Sequence, residues 1–190
     1  MSRAGKRKNC SGFTMIELTV VIVIIGILAA IAIPAFSVWL PNYNLRSAAQ
    51  DIYSNLQLAR LSAVKNKETW GVVFDSDNGS YSICSDNGGN GWDGPEPVGN
   101  DTCAKTVNFT DYGSGINFGY GNATKKATKA GDPAPFDIIS FSSDAATFNS
   151  RSIGKNGYVY IANNNGRAYA IGTRNSGIIL LKRWNGTDWD

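Results

Sequence analysis

Between Leu18 and Ile33 only Thr19 and Gly26 interrupt an unbroken series of Leu, Val, Ile and Ala. As a helix, Phe13 to Phe36 would extend ~36 Å at ~1.5 Å per residue, enough to cross a bilayer's hydrocarbon core. Apolar on every side, such a helix needs lipid or other helices around it. Near its start stands one acid, Glu17. A carboxylate among hydrocarbon costs ~2.5–3.5 kcal/mol on insertion scales, so an acid at this depth is by default a functional group with a partner elsewhere.

Ahead of the apolar run, Arg3, Lys6, Arg7 and Lys8 appear without any acid. By the positive-inside rule this end stays in the cytoplasm while the C-terminal bulk crosses. A basic start before an apolar stretch also describes a secretory signal that is cut off and discarded. Two features oppose that reading. The stretch is longer than a usual signal core, and no A-x-A-like site with a polar junction follows it. The small residue Gly12 instead precedes the apolar run. A plain signal anchor, with Glu17 snorkelling to the interface, is the simpler alternative.

The series Gly12-Phe13-Thr14-Met15-Ile16-Glu17-Leu18, followed by apolar residues and Pro34, resembles the class III signal of type IV pilins and type II secretion pseudopilins. The resemblance implies cleavage between Gly12 and Phe13 by a prepilin peptidase and N-methylation of the new Phe13 amine by the same enzyme. It further implies that Glu17 pairs with the N-terminal amine of a neighbouring subunit as the helix moves from the inner membrane into a fibre, aided by an assembly platform. Opposite charges attract strongly in a low-dielectric core, whereas either alone is heavily penalised. Pro34 matches a proline common in such helices and, with Gly26, loosens the helix for packing; it also reads simply as a helix end or kink.

The whole chain has eighteen Lys plus Arg and fifteen Asp plus Glu, but four of the cations lie in residues 1–12, so the remainder is near neutral. A global basic argument for nucleic acid therefore fails. Removing the same residues removes Cys10 and leaves Cys84 and Cys103, which in an oxidising periplasm are expected to form a disulfide contributing ~3 kcal/mol. The stretch they enclose is rich in Gly, Asn, Asp and Pro, unsuited to a helix or a central strand.

After Pro41, which is expected to kink or break the long helix, Leu45, Ala49, Ile52, Leu56, Ala59 and Ala63 step by threes and fours. The spacing predicts an amphipathic helix with Asn44 as N-cap and Asn66 near its end, its apolar stripe seating a sheet. The run LRSAAQDIYSNLQLARLSAVKNK resembles the corresponding helix of the GspH/FimT branch of minor pilins.

Beyond Lys67 the pattern changes to short β-type runs: 69–74, 81–84, 116–120, 136–141, 158–162, 167–171 and 178–184, with DSDNGS, NNNG and TRNSG as hairpin connections. The expected fold is α+β: a long N-terminal hydrophobic helix whose C-terminal half carries an antiparallel β domain. The expected division is a leader at 1–12, a transmembrane or filament-core helix at 13–40, and a periplasmic globular domain at 41–190. The polar stretch 121–135 is expected to be an exposed, mobile loop.

With no histidine in the chain, Ser-His-Asp and Cys-His nucleophiles are impossible and the commonest zinc sites are excluded, so neither enzyme activity, nor a metal, nor a cofactor is expected. The acids Asp86, Asp93, Glu96 and Asp101 share one loop, but such acids in Gly/Asn-rich loops are usually solvated. DSDNGS lacks the trailing Glu of a calcium loop, and a tight turn explains it better.

Basic residues gather near the C-terminus: Arg167, Arg174, Lys182 and Arg183, with Tyr169 and Trp184 among them. In some relatives of the FimT type a C-terminal G-R-x-R element contributes to DNA capture. Here the matching residues are Gly166-Arg167-Ala168-Tyr169, without the second arginine, and Asp188 and Asp190 lie close by. Lys125, Lys126 and Lys129 are a second basic group. The resemblance implies a minor pilin subunit of a type IV pilus, with a GspH-type secretion pseudopilin and a DNA-binding minor pilin as alternatives. Its implied partners are other pilin or pseudopilin subunits, membrane lipid before assembly and, in the last case, DNA.

Overall fold

The computed structural model describes residues 13–86, 91–95, 99–128 and 132–190, the side chain of Ala35 apart. The leader with Gly12 and Cys10, together with Glu96 and Lys129, lies outside the described residues. One helix, α1, covers Met15–Asn66. Among the described residues eight strands follow: β1 Trp70–Asp75, β2 Ser80–Ser85, β3 Thr102–Asn108, β4 Ile116–Phe118, β5 Ala145–Phe148, β6 Gly157–Asn163, β7 Ala168–Thr173 and β8 Ile179–Arg183. The chain divides into two compact units, one ending at Val38 and the other running from Trp39 to Asp190.

Pro34 and Pro41 both lie inside α1, so the expected break at Pro41 and the N-cap at Asn44 do not occur. A proline inside a helix costs ~3 kcal/mol through its missing N–H and its ring. Contacts just after Pro41 offset this: Leu45, Ala48 and Ala49 are fully buried. The Asn163 amide also donates to the Pro41 carbonyl (3.2 Å) and to Asn42 Oδ1 (2.9 Å).

The β domain is α+β with two antiparallel four-stranded sheets, ordered β3-β2-β1-β5 and β4-β6-β7-β8. The DSDNGS, NNNG and TRNSG connections join β1–β2, β6–β7 and β7–β8. The helical stripe Leu45, Ala48, Ala49, Ile52, Leu56, Ala59 and Ala63 has no exposed surface. It packs with Val72, Phe74, Tyr81 and Ile83 of the first sheet and with Val159, Ile161 and Ile171 of the second. Burying one such Leu or Ile contributes ~1.5–3 kcal/mol, so this stripe holds the domain together.

Three segments depart from the sequence expectation. Segment 136–141, expected as a strand, makes only an isolated bridge between Ile139 and Val159, although the Ser140 N–H donates to the Tyr158 carbonyl and the Tyr160 N–H to the Ile138 carbonyl. It shares one edge of β6 with β4, which takes residues 161–163. Meanwhile β3 and β5 form at residues where no strand was expected.

The stretch 121–135 is also not the free loop expected. In its described part, Ala123 and Ala127 are buried against the outer face of the second sheet. The Ala127 N–H donates to Tyr160 Oη (2.9 Å), Lys182 Nζ donates to the Ala127 carbonyl (2.9 Å), and Trp189 Nε1 donates to the Lys125 carbonyl (2.6 Å). Tyr160, Phe136, Trp184 and Trp189 make a second, aromatic core there.

Candidate functional site

The front of α1 is built by its cap. Thr14 precedes the helix, and its Oγ1 accepts the Glu17 N–H (3.3 Å), the spacing of the T-x-x-E box that satisfies orphan N–H groups at a helix start. This places Glu17 in the first turn, where a negative charge complements the helix dipole. Thr14 is a residue that the sequence reading passed over, although T-x-x-E is visible in it. Phe13 and Glu17 are both exposed. Met15–Pro34 has a mean hydropathy of 2.9 and none of it is buried within the chain. Ser37 Oγ donates to the Pro34 carbonyl (2.9 Å). The segment presents apolar surface all round with one carboxylate at its start: it can sit in lipid or pack against like helices.

The four basic candidates do not form one patch. Arg167 and Arg183 line a common cleft with Trp184. Arg183 pairs with Asp190 at 3.3 Å, both side chains about half exposed. Lys182, one residue earlier in β8, turns to the opposite face and reaches the Ala127 carbonyl. Arg174 follows the far end of β7, roughly 23 Å along the strand from Arg167 at ~3.3 Å per residue. Lys125 and Lys126 lie within 3.9 Å of Asp188 and 3.6 Å of Asp132.

Cys84 and Cys103 are joined in a disulfide between paired positions of β2 and β3, with their Cα atoms 3.9 Å apart. Among the loop acids, Asp101 is buried and its Oδ2 accepts the N–H groups of Asp93 (3.1 Å) and Gly94 (2.7 Å). In the β1–β2 turn the Asp75 carboxylate accepts the N–H groups of Asp77 and Asn78 and the Asn78 side-chain amide (2.7 Å). The Asn78 bonds hold its pKa below the usual range, so this carboxylate shapes its own turn.

A polar cluster without any motif to announce it sits on α1. Asp51 Oδ2 accepts from Tyr81 Oη (2.7 Å), from Asn55 Nδ2 (3.2 Å) and from Tyr112 Oη. Asn55 also donates to Tyr81 Oη (2.9 Å). Burial pushes the Asp51 carboxyl up, but the hydrogen bonds from Tyr112 and Tyr81, with help from Lys105 and Asn55, outweigh it and hold the pKa below the usual value. Burial pushes Tyr112 up to about 12. The cluster ties α1 to β2 and to the turn at Phe109–Tyr112.

Residues 7–33 match the family of the prokaryotic N-terminal methylation motif, and residues 48–177 match the type II transport protein GspH. A fimbrial protein of Dichelobacter nodosus is 33% identical over 129 residues, 62% of this chain and 72% of that protein. The type IV major fimbrial protein FimA of the same organism is 38% identical over 88 residues, 40% of this chain and 52% of its own length, so here the match spans about half of the relative. Among solved structures, the minor pseudopilin EpsH of the Vibrio cholerae type 2 secretion system gives a TM-score of 0.44 at 17% identity, covering 73% of this chain and 95% of EpsH. The type IV minor pilin FimU of Pseudomonas aeruginosa gives 0.43 at 16% identity, covering 77% and 97%. With the GspH match extending over more than half of its length behind an N-terminal methylation motif, the chain belongs to the GspH family of pilin-like structural subunits, which are not enzymes.

Proposed function

We propose that this chain is a minor subunit of a type IV pilus, made as a membrane-inserted precursor with its C-terminal domain in the periplasm. Residues 1–12 are the leader, 13–40 the membrane and filament-core helix, and 41–190 the displayed domain. A prepilin peptidase cuts between Gly12 and Phe13 and methylates the Phe13 amine. Lipid covers the apolar helix until the assembly platform draws it into the fibre, where helices of other subunits take the place of lipid. Glu17 then meets the Phe13 amine of a neighbour, and Pro34 eases the fit.

The observation that carries this reading is a segment of twenty residues, apolar on all sides and unburied, with one acid in its first turn, inside a chain of this family. A carboxylate alone in such surroundings is costly, and a neighbour's ammonium offsets the cost only in the assembled state. Glu17→Ala is expected to insert in the membrane normally yet to be missing from sheared fibres. Normal incorporation of that variant refutes the pairing. Mass spectrometry of the mature chain is expected to find N-methylated Phe13 as its first residue.

The match to the type II transport protein GspH favours one second reading, a secretion pseudopilus. Deleting the gene then leaves an exported enzyme in the periplasm, with twitching unaffected. DNA capture gains less support, because Arg174 lies apart from Arg167 and Arg183, Lys182 is bonded to the Ala127 carbonyl and Arg183 pairs with Asp190.

A further inference from the structure

Where β7 turns into β8, an open cleft of about 530 Å³ is lined by Thr128, Asn156, Tyr158, Arg174, Asn175 and Ser176. Each of these side chains carries a hydrogen-bonding group; one is a cation and none is an acid. Five of the six are exposed. Tyr158 is the exception: it is only 8% exposed, yet among the described residues its hydroxyl has no hydrogen-bond partner. Polar groups this deep are normally hydrogen-bonded, so a hydroxyl without a protein partner in the wall of a cleft is available to a ligand.

Different elements build the cleft. Tyr158 stands opposite Gly172 in the β6–β7 register, and a Cβ on Gly172 would lie 2.4 Å from the tyrosine ring, so the ring rests against the glycine. Arg174 opens the β7–β8 turn. Its N–H donates to the Ile178 carbonyl (2.9 Å), its carbonyl accepts the Gly177 N–H (2.7 Å), and the Asn175 carbonyl accepts the Gly154 N–H (3.3 Å). These backbone bonds fix the turn, and among the described residues the side chains of Arg174, Asn175 and Ser176 make no hydrogen bond or ion pair of their own. Thr128 is brought in by its neighbour Ala127, whose N–H donates to Tyr160 Oη. Burial pushes the Tyr158 phenol up in pKa and the nearby charge of Arg174 opposes it, with a net rise. At neutral pH the hydroxyl is therefore protonated and can both donate and accept.

We propose that this cleft binds a sugar acid, a ring bearing one carboxylate and several hydroxyls, such as a uronate unit of an acidic polysaccharide. Arg174 takes the carboxylate through paired N–H donors. Thr128, Asn156, Asn175, Ser176 and Tyr158 Oη meet the hydroxyls, each able to donate and to accept. The tyrosine ring offers apolar surface to the C–H face of the sugar. The make-up of the lining selects this ligand: a single cation matches a single negative charge, and five neutral groups match hydroxyls rather than further charge. A nucleic acid needs a row of cations, and Arg174 lies at the opposite end of β7 from Arg167. A peptide added as a strand needs an open sheet edge, whereas β6 and β7 are the inner strands of their sheet. Sugar binding here is independent of assembly through Glu17.

The test titrates the full isotope-labelled chain, held in detergent micelles, with sodium glucuronate and follows the amide NMR signals of residues 156–158 and 174–178. Glucuronate is expected to shift these signals saturably. Its Kd is expected to lie about tenfold below those of glucose, which lacks the carboxylate, and of acetate, which lacks the hydroxyls. Arg174→Gln is expected to weaken binding about tenfold and Tyr158→Phe about fivefold, with the signals of β1 and β2 unchanged as the check on folding. Arg167→Gln, in a separate cleft, is expected to leave binding unchanged. If Tyr158→Phe fails to fold, Arg174→Gln, at an exposed turn position, still decides the matter. The absence of a saturable shift overturns the proposal, as does glucuronate binding that Arg174→Gln leaves intact. Glucose, acetate or inorganic phosphate binding as tightly as glucuronate overturns it too, the last two marking a general anion site. A short DNA duplex bound at these residues more tightly than glucuronate overturns it in favour of nucleic acid. Glu17→Ala is expected to bind glucuronate normally while missing from fibres, so the two readings fail separately.

Discussion

Asp51 Oδ2 collects three side-chain donors, and this sets how the β domain responds to acid. Its pKa is lowered in the folded state, so the associated stability is complete above the unfolded value near ~3.9 and is lost as pH falls through the lower folded value. Denaturant unfolding at pH 6 and pH 3 is expected to show this loss, and Asp51→Asn is expected to flatten it while costing ~1–3 kcal/mol at pH 6. At the opposite extreme, Tyr112 keeps its proton up to about 12, a contribution present below the ordinary tyrosine value and lost as pH rises through the folded one. Backbone room is a second constraint on single residues. A Cβ on Gly172 would lie 2.4 Å from the Tyr158 ring, so Gly172→Ala is expected to lower stability by ~1–3 kcal/mol in the same unfolding measurement. Neither site is legible in the sequence. Asp51 there is one polar residue among several on a helix, and its partners lie thirty and sixty-one positions away. Glu17 is legible because it is the one charged residue in a long, almost wholly apolar run, which makes it conspicuous without any fold.

Among the elements, the Cys84–Cys103 bridge pins β3, an edge strand whose residues from Thr102 to Thr106 are exposed, to β2. Cys103→Ser is expected to cost ~3 kcal/mol, read as a lower denaturant midpoint that reduction of the parent chain reproduces. The helical stripe from Leu45 to Ala63 was readable because a period of three to four survives burial on one side only. The strands were readable where a hairpin turn brackets an alternating run, as at β1–β2 and β6–β7–β8. They were not readable where the pattern fails for a physical reason. Most of β3 is exposed and shows no apolar face, whereas Ala145, Ala146, Thr147 and Phe148 of β5 are all buried and show no polar one. On the outer side of that sheet, Trp92 packs over the position of Gly71. A tryptophan in a glycine-rich loop gives no hint in the sequence of the strand it will cover. The 121–128 segment misled in the same way: its alanines look like loop filler, yet Ala123 and Ala127 fit beneath aromatic rings.

At the scale of the whole molecule, the outer face of the second sheet depends on the last residues of the chain. Trp189 packs on Tyr160 and Trp184, and its indole N–H holds the Lys125 carbonyl. Trp189→Ala is expected to cost ~3 kcal/mol and to raise proteolytic cleavage within residues 121–128. Four of the seven helical residues that meet the sheets, Ala48, Ala49, Ala59 and Ala63, carry a single methyl group. Tolerance along that seam is therefore one-sided: a smaller side chain leaves a gap, while each added carbon wedges the rod off its β lining. Lineages that diversify this subunit are left to do so in loops and outward-facing residues, with the spacing between rod and lining held as a fixed gauge.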